Sequence, residues 1–164
     1  MQREFLIRLP MLILGATVAM VGCAAAQTAA QTPGVRFINP PTMAKPPGYT
    51  HVIEVTGPGR TIYIAGQLGY DSAGKQGADF REQATLVYEN LRAAIESVGG
   101  KMENIVKLNA FLTDIRAQLP IYREVRDKFV NVAAPPASTT LEVPKLAREG
   151  ALLEVEAIAV LPAR

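Results

Sequence analysis

The stretch Leu152–Leu161 constrains the fold of this chain more than any other. Its residues alternate: Leu153, Val155, Ala157, Ala159 and Leu161 fall on one face of an extended chain, and Glu154, Glu156, Ile158 and Val160 on the other. Aliphatics on both faces describe a central strand covered above and below. Two carboxylates open the second face, where it should approach a cleft. Just upstream, Ser138–Val143 mixes hydroxyls with Leu141 and Val143, which suits a half-buried strand. Pro144 ends that strand because it has no N–H for a ladder. The segment Ala134–Val160 is thus read as short strand, loop and long strand.

The rest of the domain is arranged around this pair. His51–Thr56 and Thr61–Ala65 are short β-rich runs, and Gly57-Pro58-Gly59-Arg60 between them is turn chemistry, so they are read as a hairpin. Asp79–Val98 is read as a helix, with Phe80, Ala84, Val87, Leu91, Ala94 and Val98 recurring every three or four residues. Asp79 and Glu82 resemble a capping box, and Gly99-Gly100 stops the helix. Ile105–Leu112 is a strand with Val106, Leu108, Ala110 and Leu112 inward and Lys107 and Asn109 outward. Gln118–Val130 is a second helix buried along Tyr122, Val125 and Phe129, with Pro120 tolerated in its first turn.

The order β-β-α-β-α-β-β predicts an α+β domain: a mixed sheet with two helices on one face. The other face keeps Ile62 and Ile64 or their alternates, with Val52, Ile158 and Val160. A large uncovered apolar sheet face is a liability in a monomer, so an oligomer with packed sheets is expected.

The N-terminus reads as separate. Arg3 and Arg8 precede the apolar run Leu9–Val21, which has the form of a signal-peptide core and is short for a bilayer span. Met20-Val21-Gly22-Cys23 approximates a lipobox, which would attach the protein to the membrane through a lipid on Cys23. Ala24-Ala25-Ala26 offers an ordinary signal-peptidase site instead. An uncleaved anchor or a buried helix is the bland alternative. Either cleavage predicts export, to the periplasm or to a lipid anchor on the cell envelope. The expected division is therefore 1–23 signal peptide, 24–47 tether rich in Ala, Gln, Thr and Pro, and 48–164 folded domain, with Val35–Ile38 a candidate edge strand.

Composition excludes several functions. One Cys and one His leave neither an internal disulfide nor a Cys/His metal site, so no metal and no cofactor is expected. A net charge of +2 provides no electrostatic footprint for nucleic acid.

Four segments carry a family resemblance. Pro136-Ala137-Ser138-Thr139-Thr140-Leu141-Glu142-Val143, followed by Leu153-Glu154-Val155-Glu156-Ala157-Ile158-Ala159, resembles P-A-R-S-x-V-E-V…V-E-I-E-A-I-A. Gly48-Tyr49-Thr50-His51 resembles P-Y-S-Q, and Tyr63-Ile64-Ala65-Gly66-Gln67 resembles V-x-S-G-Q. Val106–Asp114 resembles V-K-x-T-V-F-L-T-D. On these motifs the chain resembles the reactive intermediate deaminase (RidA, YjgF-like) family. The resemblance implies a chorismate-mutase-like fold, a homotrimer, and small-molecule clefts between subunits.

It also implies site residues. In the family's deaminases an Arg clamps the substrate carboxylate, a Tyr closes the cleft and an acidic residue positions the hydrolytic water. Tyr49 matches the Tyr and Glu154 the acidic residue. Thr140 stands where some members have Cys, and Ala65 and Gly66 stand in the ligand-binding turn. Ser138 stands in place of the Arg. A hydroxyl supplies no charge, so the expected loss is roughly 2–4 kcal/mol of carboxylate binding, and deamination of 2-imino acids is put in doubt. Lys145, Arg148 and Arg116 are candidate substitute cations, against the plain reading that they are solvated. His51 is a candidate base or a strand histidine. Glu156 is read as structural. Two function classes stay open: a hydrolase of small imines or enamines using Tyr49 and Glu154, and a trimeric small-molecule binder of the cell envelope that has lost hydrolysis.

Overall fold

A computed structural model describes residues 33–164; the expected signal peptide, lipobox and first part of the tether lie outside the described residues. The described chain is a mixed α+β fold. Its strands are β1 (Gly34–Ile38), β2 (Val52–Thr56), β3 (Gly59–Leu68), β4 (Ile105–Leu112), β5 (Ala137–Glu142) and β6 (Leu153–Pro162). Its helices are α1 (Phe80–Glu96) and α2 (Ile115–Arg126), with a 3-10 turn at Met102–Asn104. The main sheet has the order β3-β6-β4-β5, with β4 and β5 parallel and the other pairs antiparallel. The alternating strand β6 is central, as its two-faced aliphatic pattern requires.

Both helices cover one face of the sheet. Leu153, Val155, Ala157, Ala159 and Leu161 of β6 are buried there against Val87, Leu91 and Ile95 of α1 and the rest of one core. Full burial of each larger aliphatic contributes about 1.5–3 kcal/mol. Asp79 caps α1 by accepting from Glu82 N at 2.8 Å, while Glu82 Oε2 accepts from Ala78 N at 2.7 Å. Gly99, at φ +80°, closes the helix.

Four local expectations are corrected. The hairpin between β2 and β3 does not form. β2 instead pairs with β1 in a separate two-stranded ribbon, with Val35 opposite Val55 and Phe37 opposite Ile53. Turn residues report a reversal of direction but not a partner, and Pro58 offers no N–H to close the hairpin. The second helix begins three residues before the expected Gln118 and ends at Arg126, because Asp114 caps it by accepting from Ala117 N at 3.0 Å. Pro120 therefore lies in the second turn rather than the first. Arg116, whose carbonyl loses a donor there, is exposed to water. Finally, Ile105 rather than Val106 is buried in β4, because the register against β6 shifts between Ile105 and Lys107.

The uncovered face of the sheet differs in part from expectation. Ile64 is buried toward the helices, Ile62 packs against the core, and Val52 belongs to the ribbon. Val160 is buried, and a Cβ added at Gly59 would stand 3.2 Å from both Val160 Cγ1 and Pro33 Cγ. The alternates fill the face: Tyr63, 79% exposed, and Ala65, with Phe111, Leu141 and Ile158. Polar groups are interleaved with them, Lys107 Nζ donating to Thr139 Oγ1 and Asn109 Nδ2 to Glu156 Oε1, each at 2.8 Å.

Candidate functional site

The glutamates of the last two strands have different employment. Glu142 Oε2 accepts from Ile115 N at 2.8 Å and so helps cap α2. Glu156 accepts from Asn109, the residue opposite it on β4. The carboxylate of Glu154, half-buried on the open face, has no hydrogen bond or ion pair among the described residues. It is seated over Gly66, where a Cβ would lie 2.7 Å from Glu154 Cδ. A register shift between Ile64 and Gln67 presents the Ala65–Gly66 backbone to β6 at this point. The start of β6 is fixed from the helix layer. Buried Gln83 accepts from Leu152 N at 2.9 Å and donates to Gly150 O at 3.0 Å and Gly77 O at 3.2 Å. Ala65, Gly66 and Glu154 thus form one group.

Tyr49, Ser138 and Thr140 belong elsewhere. Tyr49 is half-buried, with the His51 ring edge-on at 5.3 Å. His51 Nε2 donates to Ala44 O at 2.9 Å, since a carbonyl can only accept, and so fastens its own loop. Thr50 ties that loop to the start of β5, its N donating to Pro136 O at 3.3 Å and its Oγ1 to Pro135 O at 2.6 Å. Ser138 pairs with Leu108 and Thr140 with Ala110, both buried beneath the helices, so the two hydroxyls lie on the helix side of β5. Ser138 Oγ faces the Tyr122 hydroxyl without reaching hydrogen-bonding geometry. Among the described residues it is the one buried side-chain polar atom without a partner. Tyr122 in turn accepts from Tyr88 at 2.9 Å, and burial raises the pKa of both phenols.

The expected site residues therefore fall into two groups within one chain. Glu154 shares a row with Phe111 and Leu141, whereas Ser138 shares one with Leu108 and Ala157. Three residues along the strands and two strands across correspond to about 10 Å in each direction. The two side chains also point to opposite faces.

The substitute cations considered from sequence lie outside the Tyr49 group. Arg116 and Lys145 are exposed. Arg148 lies over the Tyr70 ring at 5.0 Å and lines a depression of about 380 Å3 that Gly66 also lines. A cation that sequence reading missed lies against Gly48, the residue before Tyr49. Arg126, at the end of α2, is 6% exposed and lies 5.9 Å from the Tyr122 ring centre. A Cβ at Gly48 would stand 2.6 Å from its Nη2. Nothing in the sequence distinguishes this Arg from the solvated Arg123 on the same helix except its spacing of four from Tyr122.

Comparison with known proteins adds the family context. Residues 42–161 match the family profile described as Endoribonuclease L-PSP. A RutC family protein of Aquifex aeolicus is 34% identical over 77% of this chain and 99% of its own length. A 2-iminobutanoate/2-iminopropanoate deaminase of Dermatophagoides farinae is 30% identical over 77% of this chain and 96% of its own length. Among solved structures, the Rid family protein YyfB from Yersinia pestis superposes with a TM-score of 0.69 at 30% identity, covering 77% of this chain and 98% of that one. RidA from Psychrobacter superposes with a TM-score of 0.59 at 31% identity, covering 68% and 89%.

Proposed function

The chain belongs to the Endoribonuclease L-PSP family, which includes RidA and YjgF-like proteins, and on that premise we propose that it is a hydrolase of small imines or enamines. The observation that carries the reading is the carboxylate of Glu154. Alone among the three glutamates of β5 and β6 it is free of a structural bond among the described residues, and Gly66 leaves room beside it.

In this reading Glu154 accepts a proton from water as the water oxygen bonds to the imine carbon. The C=N electron pair moves to nitrogen, which takes up a proton. The resulting carbinolamine passes its hydroxyl proton, through Glu154, to the amine nitrogen as it collapses to a carbonyl, the C–N bond breaks and ammonia leaves. Tyr49 closes the cleft. Ser138 brings no charge, so position 138 is not the carboxylate clamp of a 2-imino acid deaminase.

Two supports favour a cleft shared between copies, in a homotrimer. Glu154 and Ser138 stand on opposite faces of the sheet, with the Tyr49 loop tied through Thr50 to the start of β5, and the open sheet face carries Tyr63, Phe111, Leu141 and Ile158. With one His and a net charge of +2, nucleic acid is not proposed as substrate. Arg3, Arg8 and Leu9–Val21 support export.

The test is ammonia release from small imines and enamines by wild type and Glu154→Gln. Turnover abolished by the variant supports hydrolysis. Ligand binding without turnover in wild type replaces it with the non-catalytic binder of the cell envelope.

A further inference from the structure

The Glu154 carboxylate has no bond to hold it, so its aim depends on where the backbone of β6 sets it down. The segment before β6 gives that backbone little support. Residues 144–150 are mostly exposed and, with Thr113 and Leu152, border a depression of about 540 Å3. The support comes from the helix layer. Gln83, in the first turn of α1, is 2% exposed. Its Nε2 donates to Gly150 O at 3.0 Å and Gly77 O at 3.2 Å, and its Oε1 accepts from Leu152 N at 2.9 Å. Both amide donors and one acceptor site are satisfied, as a buried amide requires. Leu152 O accepts from Thr113 N at 3.3 Å, so Leu152 is held on both sides, two residues before Glu154.

The same residue seats the end of β3. A Cβ at Gly69 would stand 2.5 Å from Gln83 Cα, and one at Gly77 would stand 2.7 Å from Gln83 N. Neither glycine has a positive φ, so it is the close approach of Gln83 that excludes a side chain at both places. Gly77 N donates to Gly69 O at 3.0 Å and closes the loop between them. Leu68, just before Gly69, lies opposite Glu154. One buried amide therefore joins the end of the strand that carries Gly66 to the start of the strand that carries Glu154. A role confined to stabilising α1 would explain the burial but not the bonds, since Gly77, Gly150 and Leu152 all lie outside that helix.

We propose that Gln83 is the positioning residue of the reaction centre: from the helix side of the sheet it sets the separation of Glu154 from the Ala65–Gly66 backbone on the open side, without touching the ligand. The proposal rests on the reading of Glu154 as the group that accepts the water proton. Without the Gln83 amide, Leu152 N loses its acceptor and the start of β6 is free to shift. An unbonded carboxylate cannot correct such a shift, and a displacement of about 1 Å is enough to lower a rate on the order of a hundredfold.

The test is Gln83→Met, which keeps the length of the side chain and loses its three bonds. In imine hydrolysis kcat should fall at least about tenfold while KM stays within about threefold of wild type. In a Glu154→Gln background the same substitution should leave the residual turnover unchanged, because the group it aims is gone. A merely structural Gln83 would lower turnover alike in both backgrounds, to the extent that thermal melting shows the protein unfolded. Crystal structures of wild type and Gln83→Met read the geometry without turnover: the Glu154 carboxyl should leave its seat over Gly66 by about 1 Å or more. Gln83→Asn is one methylene shorter and cannot reach Gly77, Gly150 and Leu152 together, so it carries the test should Gln83→Met fail to fold by circular dichroism. A folded variant that keeps Glu154 over Gly66 overturns the proposal. So does one with wild-type kcat, or one with the same loss in the Glu154→Gln background. A wild type without turnover sinks the hydrolase reading alone, since the crystal structures still decide whether Gln83 places Glu154.

Discussion

Glu154 carries its carboxyl group directly over the Cα of Gly66, so close that a Cβ there would stand 2.7 Å from Glu154 Cδ and 2.9 Å from Cγ. The side chain reaches this position because Glu154 lies opposite Leu68 on β3, just past the register shift between Ile64 and Gln67. Gly66→Ala should therefore push the carboxylate aside. The displaced group is the end of a flexible side chain, so the expected stability loss is only about 1–2 kcal/mol. Activity should fall at least tenfold, on the order of what 1.4 kcal/mol of lost transition-state stabilisation produces. Parallel thermal melts and rate measurements check this; a Gly66→Ala protein with wild-type turnover contradicts the assignment.

The two open-face glutamates should separate in their effects. Glu154→Gln removes the proposed general base and should lower turnover by about 10²–10⁴ with little change in melting temperature. Glu156→Gln weakens a bond from Asn109 at a solvent-exposed position, so it should cost less than about 1 kcal/mol and leave turnover within a few-fold of wild type. Reversed phenotypes would move the chemistry to Glu156.

The domain should be a trimer in solution. Light scattering on the protein lacking its N-terminal segment should give three times the chain mass. Tyr63→Lys should lower the mass, since Tyr63 is the most exposed large side chain of the open sheet face and three added charges would be brought together. A wild-type monomer at micromolar concentration would sink the shared cleft.

Alkaline stability should depend on the Tyr88–Tyr122 pair. Burial is the leading cause that raises the pKa of each above the ordinary 10.0. The native state then retains protons that the unfolded chain has lost. The pair's contribution is fully present below pH 10.0 and is lost as pH climbs through the folded values. Melting temperature followed from about pH 8 to about pH 11 should fall more steeply for wild type than for the Tyr88→Phe/Tyr122→Phe double variant. Parallel curves would refute the account.

Export should be visible as a shortened chain. Intact mass of the protein from fractionated cells should place the new N-terminus at Cys23 with added lipid, or just after Ala26 without it. Full-length protein in the cytoplasm would refute export.

The sequence by itself determined the faces and one central strand. Period-two alternation in Leu153–Leu161 and the three-and-four spacing in Phe80–Val98 are imposed by local backbone geometry, so they survive without knowledge of neighbours. Caps at Asp79 and Gly99 are local for the same reason. Tertiary structure alone decided the partners. β2 pairs with β1 because hydrogen-bond partners are chosen across space, whereas Gly-Pro-Gly speaks only for the turn. Glu156 is engaged because register places Asn109 opposite it, and Glu154 is free because Phe111 occupies the corresponding position. Ser138 and Glu154 fall on opposite faces through the pairing of β5 with β4, which no spacing in the chain encodes. Arg126 reads as one more solvated helix charge until the fold lays Gly48 against it. Local conformation follows from each residue and its near neighbours, but burial and partnership depend on contacts between residues far apart in the chain, as between Gly48 and Arg126.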